Sequence, residues 1–145
     1  MHNPDVDQFV GIIKDGNYFE EVGYELPDFS MKDINRLLYY SHDTSQIEQF
    51  PTNPISSFYT APKILNECIF WTIDGIRFQK KYISLEPCLI DTSNLIENFG
   101  PARLTGDQLL EVANLYEKWY DEYEEDPSVE LRLKNIFENT SYIWR

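Results

Sequence analysis

Residues 105 to 126 constrain the fold more than any other stretch, because they spell a long helix with a defined start. Thr105-Gly106-Asp107-Gln108 is a capping-box pattern: a hydroxyl and an amide three residues apart each satisfy a backbone N–H of the first turn. Leu109, Val112, Ala113, Tyr116, Trp119, Tyr120 and Tyr123 then fall on one face over four turns. A helix with so broad an apolar stripe must be covered by other elements, and the aromatic residues on it are core candidates first. Tyr120 and Tyr123, nearest the acidic end, are the ones expected to stay partly exposed.

Beside that stripe runs a second one. Glu117, Asp121, Glu124 and Glu125 line up at about 100° per residue, so that Glu117–Asp121 and Asp121–Glu125 are like-charge i, i+4 pairs. Each pair costs about 0.2 to 0.5 kcal/mol. Glu124, Glu125 and Asp126 also crowd the helix C-terminus, where the macrodipole favours cations by about 0.3 to 1 kcal/mol per charge. Lys118–Glu122 is the one evident compensating pair. The total is about 1 to 3 kcal/mol of local cost. A screened, solvated face and a binding surface for a basic partner are the two readings of such a stripe. On the second, Glu117, Asp121, Glu124, Glu125 and Asp126 form the contact patch, with Tyr120 and Tyr123 as anchors. These acids lack the ordered loop spacing of a calcium site, so no metal is expected.

The charge of the whole chain points the same way. Twenty-five Asp and Glu oppose twelve Lys and Arg, a net −13 over 145 residues. Residues 1–30 carry seven acids and one base, 31–81 five acids and six bases, and 82–145 thirteen acids and five bases. Both ends are acidic and the middle is balanced. Such a chain is repelled by nucleic acid and anionic lipid, and it attracts basic proteins.

The remaining pattern suggests one α+β domain over residues 1–145, with helices at both ends around a small central antiparallel sheet. Asn3 and Pro4 open a first helix on the stripe Val6, Phe9, Val10, Ile13, which Gly16 ends. A second helix starts at Ser30, whose Ser30-Met31-Lys32-Asp33 run resembles a capping box, and buries Ile34, Leu37 and Leu38. Pro51, Pro54 and Pro62 mark residues 41–62 as an irregular connection. Asp74-Gly75 predicts a type I′ hairpin between Ile69 and Tyr82, pairing Ile73 with Ile76 and Trp71 with Phe78. Short strands are expected at Ile83-Ser84-Leu85 and at Cys88-Leu89-Ile90, the latter bounded by Asp91, and a last helix over Val129, Leu133, Ile136 and Phe137.

No GxSxG, Walker-type or HExxH motif occurs, and no catalytic residue, cofactor or metal is expected. His2 and His42 are the only imidazoles; Cys68 and Cys88 fit no CxxC pattern and read as buried thiols of a reducing compartment. The first residues, Met1-His2-Asn3-Pro4-Asp5, lack the features of a secretory signal, and no apolar run reaches bilayer length, so a cytoplasmic location is expected. Asn139-Thr140-Ser141 matches a glycosylation sequon that has no consequence without secretion.

In size, acidity, aromatic content and absence of catalytic motifs the chain resembles the small immunity proteins of bacterial toxin–immunity systems, including those of contact-dependent growth inhibition. The resemblance is one of overall character and carries no residues over. It implies stoichiometric protein–protein inhibition of a cognate basic toxin domain, nuclease-type, with neither direct nucleic-acid binding nor membrane contact; oligomeric state stays open. Two other classes fit the same composition: a nucleic-acid mimic blocking DNA-binding proteins, against which the near-neutral middle third argues, and a small hydrolase using a pair of the many carboxylates.

Overall fold

The computed structural model describes residues 3–52 and 62–145. Its first helix, α1 (Val6–Asp15), starts at Asp5 rather than Asn3. The Asp5 carboxylate accepts from the Gln8 N–H at 2.9 Å while the Asp5 N–H donates to Gln8 Oε1 at 3.0 Å, closing a reciprocal box that Asn3 is too early to make. Asn3 instead accepts from the Asp28 N–H at 3.2 Å. Gly16 ends the helix at φ 78°, a left-handed position where a side chain would be strained and a Cβ would meet the Glu48 carboxylate at 3.3 Å. A single-turn helix, α2 (Tyr18–Glu21), follows. The Ser30 start is as expected, with its N–H on the Asp33 carboxylate at 2.9 Å, but the first turn (Met31–Asp33) is 3-10 before α3 (Ile34–Leu38) begins. Ile34, Leu37 and Leu38 are buried. The irregular stretch contains β1 (Gln46–Ile47), paired antiparallel with β2 (Lys63–Ile64); Pro54 lies outside the described residues.

The 69–82 hairpin does not form. Residues there belong to α4 (Leu65–Phe78), and neither Asp74 nor Gly75 has the positive φ that a type I′ turn requires. Periodicity misleads because this helix is buried nearly all round: Cys68, Ile69, Phe70, Trp71 and Ile73 are all at most 1% exposed, so no polar face marks its turns. Asp74 and Arg77 pair at 2.6 Å across the i, i+3 spacing of a helix. Gly75 is needed for close approach: a Cβ there would sit 3.0 Å from the Lys80 carbonyl, which the left-handed Gln79 (φ 54°) folds back over the helix end. Ile83-Ser84-Leu85 is not a strand but a series of bends, held by the Trp71 Nε1–H donating to Ser84 Oγ at 2.9 Å.

The hairpin of this protein lies later. β3 (Leu89–Ile96) runs through Asp91 and pairs antiparallel with β4 (Gly100–Arg103) on one side and β5 (Tyr142–Trp144) on the other, in the order β4-β3-β5. The register shifts between Asp91 and Leu95, and beyond that bulge the two strands project as an arm whose Leu95, Ile96 and Phe99 are 70%, 50% and 84% exposed. The α+β class holds, with a three-stranded sheet built from the second half of the chain in addition to the short β1–β2 pair.

Helix α5 (Gly106–Glu125) follows its sequence pattern. Thr105 Oγ1 accepts from the Gln108 N–H at 3.2 Å and Gln108 Oε1 from the Thr105 N–H at 2.8 Å. Leu109, Val112, Ala113, Tyr116 and Trp119 are buried, and Tyr116 stacks on Phe70 of α4 with centroids 4.7 Å apart. The last helix, α6 (Val129–Arg132), stops after one turn instead of reaching Phe137. Side chains of other helices bind the carbonyls at its end and just beyond: Leu131 O accepts from Trp119 Nε1 at 2.6 Å, Arg132 O from Arg77 Nε at 3.0 Å, and Lys134 O from Arg77 Nη2. Leu131 O also accepts from the Lys134 N–H at 3.2 Å, so the backbone tightens to i→i+3 bonding there and the i→i+4 ladder stops. Ile136 and Phe137 still join the core, which draws on residues from Val6 to Tyr142. Among the described residues no helix is long and apolar enough to cross a membrane.

Candidate functional site

Helices α3 and α5 meet along a cleft of about 290 Å³ lined by Asn35, Arg36, Leu38, Tyr39, Glu117, Tyr120 and Asp121. Burial of Leu37 and Leu38 turns α3 so that Asn35, Arg36 and Tyr39 face outward, and burial of Tyr116 and Trp119 leaves Glu117 and Asp121 one turn apart on the cleft side of α5.

The Glu117 carboxylate is half-exposed and accepts from Ser41 Oγ at 2.9 Å; His42 Nδ1 lies 3.3 Å from the same oxygen, an ion pair whenever the imidazole is protonated. His42 thus faces a carboxylate. Both cysteines are buried, and burial pushes their thiols up, Cys88 to about 11. Asp121 is exposed and meets no cation at ion-pair distance among the described residues. The Tyr120 hydroxyl donates to Glu124 and is pushed up to about 12, first by burial and then by that carboxylate. Arg36 brings a positive charge to the cleft, but Asp7 holds it bidentately at 2.7 and 3.0 Å while it lies over the Tyr39 ring at 4.3 Å. Its charge is neutralised, so Glu117 and Asp121 set the sign of the cleft.

Of the seven residues singled out from the sequence, the structure brings Glu117, Tyr120 and Asp121 into the cleft and links Glu124 to it through Tyr120. Glu125 and Asp126 are exposed on the helix end away from the cleft lining. Tyr123 stacks on Trp119, centroids 5.7 Å apart, and is half-buried against the core. The local cost is smaller than the one-helix reading gave: Ser41 and His42 meet Glu117, and Lys134 rather than Lys118 pairs with Glu122, at 3.6 Å. The α3 residues were not foreseen, because nothing local in the sequence says which helix faces which. Among the described residues no group of three or more His, Cys, Asp and Glu converges as metal ligands would.

The class thus defined is a helix-rich α+β protein with a small acidic cleft flanked by tyrosines. A family model matches residues 1–145, and the chain belongs to that family, described as a domain of unknown function (DUF4943). No curated protein and no solved structure matches it.

Proposed function

We propose that this chain is a non-catalytic, cytoplasmic immunity protein that binds a basic, nuclease-type toxin domain and inhibits it stoichiometrically. The observation that carries the reading is the α3–α5 cleft, where Glu117 and Asp121 stand beside Tyr39 and Tyr120 with their one neighbouring guanidinium already held by Asp7. A lysine or arginine of the partner enters between the rings and meets both carboxylates, an arrangement in which partial desolvation strengthens the pairing. Glu124, Glu125 and Asp126 extend the negative surface along the helix end, and the net charge of −13 steers a basic partner toward it.

The test is capture from the source cell's lysate at low and high salt, followed by titration of the recovered partner. A single basic protein in equal stoichiometry, held less tightly at high salt, is the expected result. The variant Glu117→Gln, Asp121→Asn, Glu124→Gln, Glu125→Gln should then lose at least about tenfold in affinity, ~1.4 kcal/mol, and flatten the salt dependence. Unchanged affinity and salt slope would remove the helix from the interface. Recovery of many DNA-binding proteins would replace an immunity role by nucleic-acid mimicry.

A further inference from the structure

A second cleft, sharing no residue with the first, lies between the 25–32 segment and the C-terminal half of α4. Its volume is about 790 Å³, within the range of roughly 300 to 1,000 Å³ typical of small-molecule sites. Leu26, Phe29, Met31 and Ile76 line it with half-buried apolar side chains, and Gly75 adds no side chain to narrow it. Lys32 and Lys80 also line it.

Those two lysines differ from most cations of this protein. Lys14, Arg36, Arg77, Arg103, Lys134 and Arg145 each meet a carboxylate. The side chains of Lys32 and Lys80 meet none among the described residues, although acids outnumber bases two to one. The cleft's third lysine, Lys81, is bridged to Glu25 at 2.5 Å, which ties the 25–32 segment to the chain leaving α4. Three lysines against Glu25 and Asp28 leave the cleft at +1 inside a molecule at −13. At physiological salt charges beyond about 8 Å are largely screened, so nearby ammonium groups outweigh the distant acids.

We propose that this cleft binds a small amphipathic carboxylate, its apolar body on Leu26, Phe29, Met31 and Ile76 and its anionic group between Lys32 and Lys80. Apolar surface with a few placed charges is the usual composition of such a site, and the charges choose among ligands of equal hydrophobicity. The chain accordingly discriminates an apolar anion from an apolar cation, the reverse of the preference of the α3–α5 cleft.

The experiment uses three eight-carbon probes, octanoate, octylamine and octanol, titrated into the full chain and followed by ¹H–¹⁵N amide shifts and calorimetry. Octanoate is expected to shift the amides of Ile76, Gln79 and Lys80 saturably, with octanol weaker and octylamine without effect there. Lys32→Gln with Lys80→Gln should weaken octanoate binding at least tenfold and leave the octanol response unchanged. Lys32→Arg with Lys80→Arg should restore octanoate binding. Equal responses to octanoate and octylamine, an octanoate affinity indifferent to the Gln pair, shifts confined to other parts of the chain, or no saturable shift would each overturn the proposal. The four α5 substitutions above should not alter octanoate binding, so the two sites stand or fall separately.

Discussion

Asp74 accepts from Arg77 Nη1 at 2.6 Å and from the Tyr116 hydroxyl and Trp144 Nε1, both at 2.8 Å. Arg77, itself 1% exposed, also donates from Nε and Nη2 to the Arg132 and Lys134 carbonyls and lies 4.6 Å from the Trp119 ring. Asp74→Ala leaves a buried guanidinium without its anion. The expected loss of unfolding free energy is about 3 to 5 kcal/mol, read from urea denaturation at neutral pH. A loss below about 1 kcal/mol would show that water reaches Arg77 and that the pair is not sealed. The sequence gives no sign of this hub. Asp74-Gly75 is a strong turn signal, and the residues that overrule it, Tyr116 and Trp144, stand 42 and 70 positions away. Local chemistry at Thr105 and Gly16, by contrast, was readable, because a cap needs only neighbours within a turn.

At the level of elements, Asp91 joins three of them. Its carboxylate accepts from the Ser93 N–H at 2.9 Å and Ser93 Oγ at 2.6 Å at the bulge of β3, from Ser141 Oγ at 2.5 Å beside β5, and from Gln108 Nε2 at 3.1 Å on α5. The Ser141 and Ser93 donors hold its carboxyl down to about 2, below the ordinary 3.8. A carboxylate held down in the folded state adds stability that is complete above the unfolded value and fades as pH falls from about 4 towards 2. Asp91→Asn should therefore lower the melting temperature at pH 7, and the gap to the parent protein should narrow below pH 4. A gap that stays constant across that range would mean the lost contacts are neutral ones. Element types with one polar face, α1, α3 and α5, were legible from their periodicity. The buried α4 was not, since the amphipathic signal vanishes when every face is covered, and the α3–α5 cleft was only half visible, because α5 announces its carboxylates while its partner helix is chosen by packing.

Across the whole molecule, the charge imbalance opposes compactness. Most exposed ion pairs here are isolated and contribute little, whereas −13 is repelled by itself throughout the surface. Raising sodium chloride from about 0.01 to 1 M shortens the screening length from roughly 30 to 3 Å and should stabilise the fold. A gain near 1 kcal/mol corresponds to a rise of about 4 °C in melting temperature for a chain of this length. An unchanged or falling value would mean that attraction within pairs outweighs the net repulsion. The Asp74 hub ties completion of the core to the order of synthesis. The carboxylate leaves the ribosome with α4, but the indole that completes its shell follows 70 residues later, in the strand that also closes the sheet. Until that strand emerges, the nascent chain holds a core acid short of a donor and β3 with one edge open, so the core around α4 is sealed by residues translated well after it rather than growing steadily as each helix emerges.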